Sequence, residues 1–167
     1  MSAGSDRPGP ASSNAPRADK RARSGAARIY AVQALFQMEA ANQSSDRVLA
    51  EFLNWRIAAD YAEGTTPEAD EALLAAILGD VVNWQARIDQ MTDRALVAKW
   101  PIARIDPVLR AVFRAAGAEL VATRTPPKVV IAEYVGVADA FFPDGKEARF
   151  VNAVLDHMAR EARPEAF

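Results

Sequence analysis

Cysteine is absent from this 167-residue chain, and with it go disulfides, zinc–thiolate sites, iron–sulfur clusters and any thiolate nucleophile. Histidine is almost absent: His157 stands alone. Its sequence neighbour Asp156 would lie about 100° away around a helix, so the two do not form an acid–base pair. No Gly-rich phosphate loop, HExxH or GxSxG motif occurs. The carboxylates Glu39, Glu68, Asp70, Glu71 and Asp80 are scattered and read as solvating charge. No apolar run approaches the ~18 residues that a bilayer crossing needs, and the N-terminus lacks the apolar stretch of a secretory signal. No alternating segment is long enough for a convincing strand, and nothing repeats at a solenoid period. These absences predict a cytoplasmic, non-enzymatic protein without catalytic residues, metal, cofactor or membrane contact.

What is present is ordinary in amount and uneven in placement. Half the residues are apolar and a quarter are charged, enough for one domain with a real core. The total charge is −2, yet the six basic residues Arg7, Arg17, Lys20, Arg21, Arg23 and Arg28 are opposed in that stretch only by Asp6 and Asp19, leaving +4 there and −6 on the remainder. Cationic side chains gain affinity for a polyanion by releasing its counterions, so nucleic acid is one natural partner of such a segment. A solvated basic tail is the other reading.

Residues 1–27 are rich in Ser, Pro, Gly and Ala and lack apolar periodicity, which predicts a flexible basic arm. A helical domain is expected over 28–160. Ile29, Val32, Leu35 and Phe36 form its first helical stripe, Val48, Leu49, Phe52 and Leu53 the second, and Leu74, Ile77, Leu78, Val81 and Ile88 the third. Thr65 or Thr66 as N-cap, Pro67 in the first turn and Glu68 predict the third helix's start. Trp100-Pro101 breaks the pattern, and Asp106-Pro107 opens a helix bearing Leu109, Val112, Phe113, Ala116 and Leu120. Thr125-Pro126-Pro127 ends it. Val130, Tyr134, Val137, Ala138 and Phe141 mark the next helix, Pro143-Asp144-Gly145 a turn, and Phe150 or Val151, Val154, Leu155 and Met158 the last. Residues 161–167 read as a tail. The predicted fold is all-α, with about six or seven helices packed as small bundles. Phe36 and Phe150 are candidates for stacking on unpaired bases, although a Phe at helical spacing is more often core. Asn152 has the donor and acceptor to read a base edge, or to cap or bond internally.

Four stretches resemble the NusB family: Ala31-Val32-Gln33-Ala34-Leu35-Phe36-Gln37; Ala111-Val112-Phe113-Arg114 with Glu119-Leu120; Pro127-Lys128-Val129-Val130-Ile131 with Glu133 and Ala138; and Arg149-Phe150-Val151-Asn152-Ala153-Val154-Leu155-Asp156. Their order and spacing match, and the likeness covers about Arg28 to Arg160. Departures are Ala118 where the family usually has Tyr, Ala132 for Asn, Gly136 for Glu and Ala153 for Gly. The resemblance implies two small helical bundles and a non-catalytic role in transcription antitermination. It also implies pairing with the ribosomal protein NusE, binding of single-stranded boxA-type nascent RNA, notably from ribosomal RNA operons, and an indirect link to the RNA polymerase elongation complex. Carried over by position, the RNA side comprises Arg17, Lys20, Arg21, Arg23, Arg28, Phe36, Phe150 and Asp156, and Glu119 lies nearest the NusE contact. Two rivals remain: a NusB-like adaptor that binds protein without RNA, and the N-terminal domain of an RNA cytosine methyltransferase. The second needs a following cofactor domain and a catalytic cysteine.

Overall fold

Each helix begins where a small polar side chain, a proline or a glycine makes a start inexpensive. In the computed structural model, which describes residues 9–10, 19–96 and 101–167, Asp19 caps α1 (Lys20–Ala41) by accepting from the Ala22 amide at 2.7 Å. Ser44 caps the short α2 (Ser45–Glu51), and Asp70 caps α3 (Glu71–Ala95) through the Leu73 amide at 3.0 Å. Asp106 accepts from Val108 at 2.7 Å ahead of α4 (Pro107–Ala122), with Pro107 supplying a preset φ where no amide is needed. Pro127 opens α5 (Pro127–Phe141) in the same way. Gly145, at φ 83°, ends the turn before α6 (Lys146–Ala162), a backbone geometry that glycine adopts without penalty.

The expected all-helical architecture is what the structure has: six α-helices among the described residues. Two groups, α1–α3 and α4–α6, are joined across the long contact of α3 with α4 into one continuous apolar core. Its largest fully buried side chains include Tyr134, Phe52, Phe113, Leu74, Ile77 and Leu155.

Four boundaries differ from the sequence reading. Helix α1 begins at Lys20, not near Ile29, because the Asp19 cap and the sequence Lys-Arg-Ala-Arg propagate the helix before its apolar stripe starts. The rest of the expected arm, Arg17 included, lies outside the described residues except for Gly9–Pro10. Second, α3 starts at Glu71, and Thr65 and Thr66 do not cap it. Thr65 belongs to, and Thr66 directly follows, a small antiparallel sheet, β1 (Gly9–Pro10), β2 (Ala59–Tyr61) and β3 (Gly64–Thr65), in the order β1-β2-β3. The Thr66 hydroxyl accepts from the Ala59 amide at 2.9 Å, and the chain reaches β2 through a π-helical turn (Phe52–Arg56) and a left-handed Ala58 at φ 47°. Third, α2 is shorter than its apolar stripe, since Phe52 and Leu53 fall in that π turn.

Fourth, the C-terminal segment is docked. The Arg163 guanidinium donates to the carbonyls of Glu119, Leu120, Thr123 and Thr125 at 2.6–2.8 Å. Acceptors that the end of α4 leaves without helical partners are thereby satisfied by a cation placed at the negative end of the helix dipole.

Close approach of α3 to α4 depends on Gly117. A Cβ there would lie 2.4 Å from Cγ2 of the buried Ile88, whereas a Cβ at Gly136 meets nothing within 4 Å. Gly117→Ala is expected to destabilise the protein in urea unfolding, because overpacking of about 1–3 kcal/mol outweighs the ~1 kcal/mol gain in helix propensity. Gly136→Ala is expected to raise stability by up to ~1 kcal/mol.

Candidate nucleic-acid interface

Helix α1 carries most of the residues that the sequence nominates. Its first turn carries Lys20, Arg21 and Arg23 and no acidic residue, while the N-cap Asp19 takes the Ala22 amide and offsets part of the positive dipole end. The three are not equivalent. Lys20 and Arg23 line a hollow of about 500 Å³ with Glu68, Asp70 and Glu71, so nearby carboxylates offset part of their charge. Arg23 is half-buried, and its Nε has no hydrogen-bond partner. Arg21 is exposed and outside that hollow.

Arg28 and Glu119 do not face a partner. Arg28 Nε and Nη2 each donate to a Glu119 carboxylate oxygen at 2.9 Å, and Arg28 Nη1 lies 3.6 Å from Glu133. The Tyr134 hydroxyl donates to Glu119 at 2.5 Å. Glu119 and Tyr134 are fully buried and Arg28 nearly so. Burial alone would lower the Arg28 pKa, but the hydrogen bonds and charge of Glu119 outweigh it and hold the guanidinium charged. Burial, reinforced by the Glu119 charge, pushes the Tyr134 hydroxyl well above its ordinary value. The structure therefore corrects two assignments: Arg28 and Glu119 form an internal network, because each satisfies the charge that the other would otherwise leave unpaired in the core.

Phe36 emerges from α1 at 40% exposure. It borders a cleft of about 500 Å³ with Gln33, Gln37, Phe52, Val108 and Phe141. Phe150, on α6, is half-buried and meets the core Phe113 edge-on, with ring centroids 5.9 Å apart. Asp156 pairs with Arg160 at 2.9 Å, and Arg160 also covers the Phe167 ring at 4.4 Å. Asn152 and His157 are exposed on the same helix. Thus α1 gathers the cations and Phe36, while α6 presents part of Phe150 and Asp156.

Sequence reasoning misreads one feature and passes over another. Glu39, read there as solvating charge, bonds Arg110 and Arg114, and Arg114 also bonds Asp89 at 3.0 Å, tying α1, α3 and α4 together. The Arg110 hydrogen bond holds the Glu39 carboxyl below its usual range against the opposing effect of burial. The other is Trp55 with Tyr61, exposed aromatics beside α1; their occurrence with Arg56 inside a non-periodic stretch was the available signal. Among the described residues no cluster of three His, Cys, Asp or Glu side chains could hold a metal ion, and no helix is long and apolar enough to cross a membrane.

A family model described as the NusB family matches residues 25–160. The chain belongs to the NusB family. It is 43% identical over 148 residues to the transcription antitermination protein NusB of Granulibacter bethesdensis, covering 85% of this chain and 90% of that one. With the NusB protein of Rhodopseudomonas palustris it shares 42% identity over 155 residues, 92% and 91% of the two chains. Among solved structures, NusB of T. maritima superposes with a TM-score of 0.69 at 26% identity, over 91% of this chain and 99% of that one. A chain from a complex of the antitermination factors NusB and NusE with dsRNA superposes at 0.67, over 86% and 99%, and at 19% identity that likeness concerns the fold. This NusB-family chain is a transcription antitermination factor, a regulatory protein with no enzymatic activity.

Removing either member of the buried pair leaves an uncompensated charge. Arg28→Met and Glu119→Gln are each expected to cost about 3–5 kcal/mol in urea unfolding. The double variant Arg28→Met with Glu119→Leu should cost far less than the sum, because neither charge is then left alone.

Proposed function

We propose that the chain binds boxA-type single-stranded nascent RNA together with a NusE-type ribosomal protein, and thereby supports antitermination of ribosomal RNA transcription within the polymerase elongation complex. The observation that carries this reading is the composition of α1: three cations, Lys20, Arg21 and Arg23, in a first turn opposed by the single capping Asp19 and, further along the same helix, a large exposed aromatic bordering a cleft. Cations draw in the phosphates, and an aromatic face stacks on bases that are not already paired. A related fold occurs in a NusB–NusE complex with double-stranded RNA; the exposed Phe36 favours unpaired bases for the present chain. The remaining candidates, Arg17 in the N-terminal segment and Phe150 and Asp156 on α6, belong to this proposed surface. An overall charge of −6 beyond Arg28 suits a basic ribosomal protein as the second partner.

A titration of a boxA-like single-stranded RNA at several salt concentrations tests the assignment. Neutralising Arg17, Lys20 and Arg21 together should flatten the slope of log affinity against log salt by up to ~0.7 per lost phosphate contact, with binding of the NusE-type partner retained. Phe36→Ala should weaken RNA binding by ~1–3 kcal/mol without changing that slope. An unchanged slope and affinity for both variants would remove α1 from the RNA site and favour an adaptor that binds protein alone.

A further inference from the structure

A second cleft, of about 700 Å³, lies between α1 and the segment that runs from the π turn into the small sheet. Ile29, Tyr30 and Gln33 from α1 line it together with Trp55, Arg56 and Tyr61. The Tyr30 hydroxyl fixes one side by donating to the Pro67 carbonyl at 2.9 Å, and the Tyr61 hydroxyl donates to the Trp55 carbonyl, holding the two aromatic residues in one unit. Packing does not use these rings fully: Ile57 and Ala59 of the same segment are 8% and 4% exposed, whereas Trp55 and Tyr61 are 37% and 44% exposed. Large aromatic surfaces left open beside a concave site mark binding surfaces more often than chance exposure.

The occupant is constrained by what surrounds the cleft. Gln33 and Arg56 line both this cleft and the one that Phe36 borders, so the two clefts are neighbours along α1. Arg56 keeps its guanidinium half-exposed while bonding Glu51 at 3.1 Å, which offsets the acid on the cleft wall. Strand β1 pairs with β2, Gly9 opposite Asp60 and Pro10 opposite Ala59, and extends the sheet that forms this wall. Separated aromatic faces, an amide able to read a base edge and the neighbouring Arg56 cation are the elements of a single-stranded nucleic-acid site.

We propose that the cleft of Ile29, Gln33, Trp55 and Tyr61 is a second base-stacking site, which extends the track of the same single-stranded RNA beyond Phe36. The proposal rests on the RNA-binding reading above. It makes the 52–67 segment a determinant of how many bases the protein covers.

The test uses the full chain, a boxA-like single-stranded RNA extended by several nucleotides at either end, and fluorescence anisotropy. Tyr61→Ala is expected to weaken binding about tenfold, in the range carried by one stacked base, while Tyr61→Phe stays within about twofold of wild type because the ring, not the hydroxyl, makes the stack. Since Tyr61→Ala can disturb the sheet, a second pair sits on α1: Ile29→Glu should weaken and Ile29→Lys strengthen binding, a split in sign that loss of packing alone does not produce. Equal loss in Tyr61→Ala and Tyr61→Phe would assign the residue to holding Trp55 and overturn the proposal. So would wild-type affinity in Tyr61→Ala alongside equal effects of the two Ile29 variants; if Phe36→Ala still loses RNA, the RNA reading itself survives. Loss of the NusE-type partner or a changed oligomeric mass in Tyr61→Ala, with RNA affinity intact, would make the cleft a protein site and also overturn it. A wild-type chain that binds no single-stranded RNA at low salt would sink both readings together.

Discussion

A charged pair in the middle of an apolar core is tolerable only if every charge and hydrogen-bonding group in it is answered, and Arg28 with Glu119 meets that condition across three helices. The guanidinium comes from α1, the carboxylate from α4, and Tyr134 and Glu133 from α5 complete the set. Two parallel 2.9 Å hydrogen bonds restrict α1 in both rotation and translation relative to α4. An apolar contact would tolerate sliding. Because Arg28 is midway between Lys20 and Phe36, this fixed rotation decides which residues of α1 face outward. The interaction that most resembles a binding site in sequence is thus the one that orients the proposed binding surface.

The helix pairs around that network are close because their contact residues are small. Gly117 lets α4 approach the Ile88 side chain of α3, and the flanking Ala115, Ala116 and Ala118 are buried on every side of the helix. Ala118 is a departure from the usual family residue. Arg163 then closes the end of α4 from the C-terminal side. Close packing on this side contrasts with α1's outer side, where Phe36, Trp55 and Tyr61 are partly exposed around two neighbouring clefts. That division suits a protein whose folded body holds a helix steady while the surface of that helix binds.

Charge follows the same division. Cations cluster at the start of α1, opposed there by the capping Asp19, and Lys20 and Arg23 also lie beside Glu68, Asp70 and Glu71. The acids limit how strongly the site draws any polyanion and leave stacking and base-edge contacts a larger share of selectivity. Such an arrangement favours discrimination over bulk attraction.

Much of this was legible from local pattern alone. Asp106-Pro107, Pro126-Pro127 and Pro143-Asp144-Gly145 act through the backbone of their own few residues, so their helix boundaries were readable, as were the four stretches that mark the family. Apolar spacing also placed Leu74, Ile77, Leu78, Val112, Phe113 and Leu155 in the core. Tertiary structure decided the rest. Arg28 looked like a member of a basic cluster because its partner lies 91 positions away, and Glu119 was placed nearest a partner contact by the resemblance, with nothing local to show its burial. Thr65 and Thr66 carried a capping signal that a left-handed Ala58 and a strand pairing overrode. Trp55 and Tyr61 had no periodicity to announce them, and the cleft they line exists only once α1 has packed behind them. Caps and periodic stripes depend on interactions within a few residues, whereas burial of a charge or the opening of a cleft depends on which distant surface arrives opposite.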